Sequence, residues 1–297
     1  MSELLQRLGP NQRRGSKPRC HWIAHGSQAE VAERLTGLIA PWGTVSADDN
    51  WLPLGFDDTT EAELHKAESL LTTEHCLTLR NWWFKKFSGG LQKSPSFDIA
   101  STCSVKMEDC ERPGILLVEA KAHDTELNEE ERGKPLESNP TPGRKTNHDH
   151  ICKALANANP ALNRITELEW NISGQDRYQM SNRFGWATAL LELGFPVILV
   201  YLGFLRADEM SDRGTPLADH DTWEALVKDH GNGVVPKAAW DTAWQREGKC
   251  LVPLIRSAEV DYKKPVSEFC VKSAVPGNFS IANQPNSVKV PKKGNLS

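Results

Sequence analysis

The chain has 297 residues, of which 39% are hydrophobic and 25% are charged, and its formal net charge is −4 at pH 7. This is the composition of a globular protein of one large domain or two small ones, able to bury a core without disulfides. The acidic excess excludes a protein that works mainly by coating nucleic acid with a basic surface. No apolar run is long enough to cross a membrane, the N-terminus lacks an apolar signal core, and seven scattered cysteines suit reduced thiols. We therefore expect a cytoplasmic protein without membrane contact.

The first part of the chain is predicted to be mostly helical. Residues 1–55 form a polar, basic arm followed by a short helix, which Ser27 caps and Pro41 ends. Apolar residues at helical spacing then predict a helix over 61–87, or two helices if a second one starts at Thr72.

Two strands are predicted next, over 97–105 and 115–123, joined by a turn-rich connection at 107–114. The second strand begins with apolar residues that do not alternate, which is typical of a central strand covered on both faces. A polar stretch over 124–147, rich in Glu, Pro, Gly and Asn, is predicted to be a long surface loop.

The remaining elements alternate between helix and strand. We predict a helix capped by Asn147, a helix over 175–193, a buried strand over 197–205, a helix over 221–230 and a strand over 251–255. This order predicts an α/β fold with a mixed central sheet flanked by helices. The main domain spans 56–265, and the tail over 272–297 is predicted to be disordered.

Two charged residues stand in the second predicted strand. Glu119 and Lys121 are two positions apart, so they point to the same face, about 7 Å from each other. Charged side chains are rarely buried unless they are paired or bind a cation. Hairpin pairing would bring Asp98, in the preceding strand, opposite Glu119. Two carboxylates at one position of a sheet make a site for Mg²⁺ or Mn²⁺; the alternative is a Glu–Lys pair on an exposed sheet face.

The tripeptide Glu119-Ala120-Lys121 is distinguished from similar ones by its position in the chain and not by its composition. Similar tripeptides occur at 247–249 and 261–263. Only the one at 119–121 lies inside an apolar strand that follows a strand with an acidic residue. The segment over 94–123, SPSFDIASTCSVKMEDCERPGILLVEAKAH, resembles the core of the PD-(D/E)xK nuclease superfamily, and the resemblance extends over roughly residues 60 to 205. One departure is that Phe97, and not Pro, directly precedes Asp98.

The resemblance implies a restriction-endonuclease-like αβββαβ core with a divalent metal site. Asp98 and Glu119 would be metal ligands, the backbone carbonyl of Ala120 would be a third, and Lys121 would be the catalytic lysine. In many family members an acidic residue of the first helix also joins the metal, and Glu68 is the candidate here; the alternative is a residue at the rim of an apolar helix face.

The helix over 175–193 carries a polar stripe at helical spacing. Gln179 resembles the Gln that RecB-like nucleases place near the site, although Arg183 replaces the Tyr expected four residues later. We predict that Gln179 is catalytic and that Asn182 and Arg183 contact nucleic acid; a solvated helix face is the alternative. Lys93 could line a DNA-binding groove; the alternative is an ordinary lysine at a helix end.

These features predict an enzyme that hydrolyses phosphodiester bonds with Mg²⁺ or Mn²⁺, most simply a DNA nuclease of restriction, repair or defence type. One alternative is an RNA-directed nuclease. The other is a non-catalytic scaffold or partner-binding protein with the same fold. Because basic residues are few, we expect a homodimer or a partner protein to supply part of the grip on DNA.

Overall fold

The structure is a computed structural model that describes residues 3–85, 94–128, 133–134, 136, 138–261 and 270–272. It is a mixed sheet with helices packed on both faces. The strands are β1 (Gly43–Thr44), β2 (Trp51–Leu52), β3 (Ile99–Lys106), β4 (Glu111–Lys121), β5 (Val197–Phe204), β6 (Trp244–Arg246), β7 (Lys249–Glu259) and β8 (Cys270–Lys272). The α-helices are α1 (Glu3–Gln6), α2 (Ser16–Ile23), α3 (Gln28–Ile39), α4 (Thr73–Trp83), α5 (Thr125–Asn128), α6 (Pro142–Ala156), α7 (Asn159–Thr166), α8 (Tyr178–Glu192) and α9 (His220–His230). Short 3-10 helices lie at Pro10–Gln12, Leu64–Lys66, Asp208–Met210 and Lys237–Ala239.

The sheet has the strand order β1-β3-β4-β5-β7-β6, with β2 also paired to β3 and β8 to β7. β3 and β4 are antiparallel, whereas β4, β5 and β7 are parallel to one another. The predicted α/β class with a mixed, helix-flanked sheet is thus confirmed. Among the residues described, no helix is long and apolar enough to span a membrane.

Alternate residues of β4 pack into two different cores. Ile115 and Leu117 face a core that includes residues of α4, α6, α7, α8 and α9. Leu116 and Val118 face a second core, which includes residues of α2 and α3. Because side chains alternate along a strand, Glu119 is directed toward the core that contains α8.

Residues 3–55 pack against the rest of the molecule, so the predicted polar arm is not separate from the fold. Leu5 and Leu8 are buried in the second core, and Arg19 in α2 forms a buried ion pair with Glu209. The predicted helix capped by Ser27 is confirmed as α3. β1 and β2 then extend the sheet beside β3. The basic residues Arg14, Lys17 and Arg19 form ion pairs with acidic partners, and Arg13 donates to backbone carbonyls.

The predicted continuous helix over 61–87 is wrong. Helix α4 covers only Thr73–Trp83, and Thr72 caps it, as the two-helix alternative anticipated. Residues 61–72 are irregular apart from the 3-10 turn Leu64–Lys66. Their apolar side chains are buried without helical structure, which is why their spacing was misleading.

Two connections are shorter than predicted. The turn between β3 and β4 occupies 107–110, because β4 already begins at Glu111. The polar stretch over 124–147 contains α5 and the start of α6, which Thr141 caps in place of Asn147.

The predicted strand at 197–205 and the helices near 175–193 and 221–230 are confirmed as β5, α8 and α9. The predicted strand at 251–255 is the middle of β7. Apart from Lys272 at the end of β8, the predicted tail lies outside the described residues.

Candidate active site

The facing ends of β3 and β4 bring the predicted carboxylates together. The register pairs Ile99 with Val118, so Asp98 follows beside Glu119. The backbone N–H of Asp98 donates to the Val118 carbonyl at 3.1 Å. The Ala120 N–H donates to Asp98 Oδ2 at 2.8 Å. The predicted pairing of the two acidic residues across the hairpin is therefore confirmed.

Glu119 is the centre of a buried network. Lys121 Nζ donates to Glu119 Oε1 at 2.7 Å, and Gln179 Nε2 donates to the same oxygen at 2.9 Å. Arg183 Nε donates to Glu119 Oε2 at 2.5 Å. Lys121 Nζ also donates to Gln179 Oε1 at 3.1 Å. We call Glu119 with these three partners the Glu119 network.

Burial makes these contacts strong. Glu119 is 2% exposed, Arg183 4% and Lys121 6%. Hydrogen bonds to charged groups are shorter and stronger than neutral ones, and water competes little at such exposures. The exposed Glu–Lys pair considered as an alternative is therefore excluded.

Helix α8 supplies two members of the network from one face. Gln179 and Arg183 are four residues apart, so both reach Glu119 from adjacent turns. Asn182 is buried, and its Oδ1 accepts a hydrogen bond from Arg183 Nη1 at 2.9 Å. The Arg183 guanidinium also lies 4.7 Å from the centre of the Phe97 ring. Asn182 and Arg183 were predicted to contact nucleic acid, but in this structure both are buried and orient the network.

The two carboxylates differ in their electrostatic surroundings. Burial and the negative charge of Glu119 raise the pKa of Asp98 to about 7, although Lys121 opposes the shift. Burial also disfavours ionised Glu119, but the charges of Arg183 and Lys121 hold its pKa below the usual value. Glu119 is thus a well-compensated anion, whereas Lys121 only partly offsets the raised pKa of Asp98, which is partly exposed.

A third carboxylate, Glu61, lies near Asp98 and was missed by the sequence analysis. Ala62 forms a β-bridge with Phe97, so the preceding residue comes next to Asp98. Glu61 adds to the raised pKa of Asp98, accepts a hydrogen bond from Ser96 Oγ at 2.6 Å and forms an ion pair with Lys17. No local signal marks Glu61, because a long-range bridge brings it there.

Two other predicted site residues stand apart from this arrangement. Glu68 is exposed in the turn before α4 and makes none of the contacts that hold the site together. It was predicted on an apolar helix face, and that helix does not form there. Lys93 lies outside the described residues.

The donor types suit a hard divalent cation, which prefers carboxylate and carbonyl oxygens. A cation beside Asp98 would favour the ionised form of this carboxylate, whose pKa is raised, and the Ala120 backbone is adjacent. Glu119 fits less well, because cationic donors already occupy both of its oxygens. Within the described part of the chain, no three His, Cys, Asp or Glu side chains form a ready-made metal site. A cation here would use Asp98, one Glu119 oxygen and water.

A groove of about 480 Å³ lies elsewhere, between α4, α6, α7 and α8. Its lining includes Trp82, Ala158 and Leu193, and it shares no residue with the Glu119 network.

No family model matches the chain, and searches of curated proteins and of solved structures found no significant match. The geometry of the site is therefore what supports a function.

Proposed function

We propose that this protein hydrolyses phosphodiester bonds with the help of Mg²⁺ or Mn²⁺, and that DNA is its substrate. The observation that carries the proposal is the juxtaposition of Asp98, Glu119 and Lys121 where two buried strands end. Charged residues are costly to bury, so such a cluster favours a functional site.

The arrangement shares several features with the PD-(D/E)xK pattern. One acidic residue lies at the start of a strand, and the Glu-x-Lys tripeptide lies at the end of its antiparallel neighbour. The strand carrying Glu119 then pairs in parallel with β5. The order of elements departs from the αβββαβ pattern, because β1 and β2 precede α4 and do not follow it.

Each side chain has a role suited to this reaction. A divalent cation held by Asp98 and Glu119 would lower the pKa of water and offset charge on the phosphate. Lys121 Nζ, which is held by Glu119 and Gln179, can donate a hydrogen bond to an oxygen that gains negative charge. Gln179 fixes both partners at once, so it keeps the ammonium group oriented.

The proposal is tested by incubating plasmid and linear DNA with the protein and Mg²⁺ or Mn²⁺. Wild type is compared with Lys121→Ala and with Lys237→Ala, which removes an exposed lysine that pairs with Asp229. We expect metal-dependent cleavage that Lys121→Ala abolishes and Lys237→Ala leaves unchanged. Equal cleavage by all three proteins would contradict the assignment. RNA substrates in parallel decide between the two nucleic acids.

The second candidate is a non-catalytic scaffold or partner-binding protein. It is favoured by the surroundings of Glu119, because Arg183 and Lys121 already balance the charge of this carboxylate without a metal ion. Calorimetric titration of Mn²⁺ into wild type and Asp98→Ala separates the two candidates. Binding that depends on Asp98 supports the enzyme, whereas its absence together with no cleavage supports the scaffold.

The surface that would bind DNA is a separate question from the residues that would cleave it. We propose that a second copy of the chain or a partner protein contributes basic surface, because the chain is acidic overall. Analytical ultracentrifugation combined with a DNA-binding assay tests this. A monomer that binds DNA tightly on its own would contradict it.

A further inference from the structure

The reaction proposed above gives no role to the contact between Arg183 and Glu119. Arg183 Nε donates to Glu119 Oε2 at 2.5 Å, and both side chains are almost fully buried. The guanidinium is a permanent cation at every relevant pH. In the metal-free protein, the positive charge beside Oε2 therefore does not depend on pH.

This placement leaves little room on Glu119 for a divalent cation in addition to Lys121 and Arg183. Oε1 already accepts from Lys121 and Gln179, so Oε2 is the less occupied oxygen. A divalent ion bound there would have to displace the Arg183 N–H or lie beside a positive charge. Like charges in a site of low permittivity repel strongly.

Arg183 is held in this position by more than its ion pair. Asn182 Oδ1 accepts from Nη1 at 2.9 Å, and the Phe97 ring lies against the guanidinium. Asn182 is itself 3% exposed, so its amide has little freedom to turn away. Two neighbours thus keep the arginine directed at the carboxylate.

We propose that Arg183 is a built-in competitor for the metal at Glu119, so that a divalent cation binds there only when the Arg183 guanidinium leaves Oε2. This inference rests on the proposed metal-dependent function, which it deepens. It predicts weak metal affinity for the free protein. A substrate phosphate would give the displaced guanidinium an anionic partner, since arginine binds phosphate well.

The test measures Mn²⁺ affinity by isothermal titration calorimetry, in the absence of any substrate. Wild type is compared with Arg183→Gln, which keeps a hydrogen-bonding side chain but removes the charge. The control is Arg112→Gln, which makes the same charge change at the other end of β4, where Arg112 contacts loop carbonyls. We expect Arg183→Gln to bind Mn²⁺ roughly tenfold tighter or more, because a unit charge about 5 Å from a divalent ion has an effect of that size even in water. Arg112→Gln should match wild type.

A second variant guards against loss of folding in Arg183→Gln. Asn182→Ala removes the acceptor of Nη1 and keeps the arginine, so we expect a smaller gain in Mn²⁺ affinity of a few fold. The rise in thermal midpoint caused by Mn²⁺ gives an independent readout for every variant, because a ligand of the folded state stabilises it in proportion to its affinity.

The outcomes separate the inference from the proposed function. Tighter binding in Arg183→Gln and in Asn182→Ala supports the competition. Binding to wild type that depends on Asp98 but is the same in both variants overturns the competition and leaves the nuclease proposal intact. No Mn²⁺ binding to any of the proteins overturns the competition, and together with the absence of DNA cleavage it overturns the proposed function as well.

Discussion

The buried ion pair between Glu119 and Arg183 makes a quantitative prediction about stability. Their side chains are 2% and 5% exposed, and a 2.5 Å contact joins them. At about 4 Å between charge centres and an effective permittivity near 20, their attraction is about 4 kcal/mol. Removing one partner of such a buried pair typically costs about 3–5 kcal/mol, because the other charge is left uncompensated.

The structure also predicts which of the two substitutions lowers the free energy of unfolding more. Arg183→Gln leaves Glu119 with Lys121, so we expect a loss near the lower end, about 3 kcal/mol of unfolding free energy. Glu119→Gln leaves two buried cations without their shared carboxylate, so we expect about 5 kcal/mol. The double variant should lose less than the sum of the two, by about 2 kcal/mol or more.

Urea unfolding at pH 7.5, in EDTA to exclude metal, measures these differences. The exposed pair Lys237–Asp229 is the control, and Lys237→Gln should cost less than about 1 kcal/mol. Losses of that small size in Arg183→Gln and Glu119→Gln, or strict additivity in the double variant, would refute the reasoning, because they would mean that the pair is solvated.

Three further predictions concern other parts of the molecule. Burial and nearby cations lower the pKa of His230 to about 4, so this residue should contribute a loss of stability as the pH falls from about 6.5 towards 4, by about 2 kcal/mol at pH 5 in the difference between wild type and His230→Phe. Urea unfolding should show that His230→Phe lacks this loss, and an unchanged pH dependence would contradict the assignment. Gly203→Ala would place a Cβ 2.6 Å from the Trp223 ring, so we expect a cost of about 1–3 kcal/mol in thermal unfolding, whereas Gly143→Ala, which meets no atom within 4 Å, should be nearly neutral. Gln179→Ala should reduce DNA cleavage on the order of tenfold without abolishing it, because it loosens Lys121 but leaves the carboxylates in place; loss as complete as in Lys121→Ala would show a more direct role.

The centre of the site could be predicted because strand geometry is local. Alternation along β4 is enough to direct Glu119 and Lys121 to one face, and hairpin pairing is enough to bring Asp98 beside them. The four-residue spacing likewise placed Gln179 and Arg183 on one stripe of α8, but it did not predict that both contact Glu119.

The surroundings of the site could not be predicted, because they depend on contacts between distant segments. Glu61 reaches Asp98 through the bridge between Ala62 and Phe97, and Lys17 reaches Glu61 from α2. The helical spacing of apolar residues over 61–72 reflects burial in an irregular segment. Periodicity alone does not distinguish a helix from an irregular segment that buries the same residues. The burial of Arg183 depends on how α8 packs against the sheet, which no local pattern reports.

The connection from β4 to β5 has a consequence for how the chain folds. It runs through residues 122–196 and includes α8, so the partners Glu119 and Arg183 are 64 positions apart in sequence. Closing a loop of this length is entropically costly, and non-local parallel pairing is slow to form. Until the crossover closes, Glu119 remains in water, where its charge needs no partner. The local β3–β4 hairpin can therefore assemble before α8 brings Gln179 and Arg183 to Glu119, and a refolding chain would form this hairpin ahead of the Glu119 network.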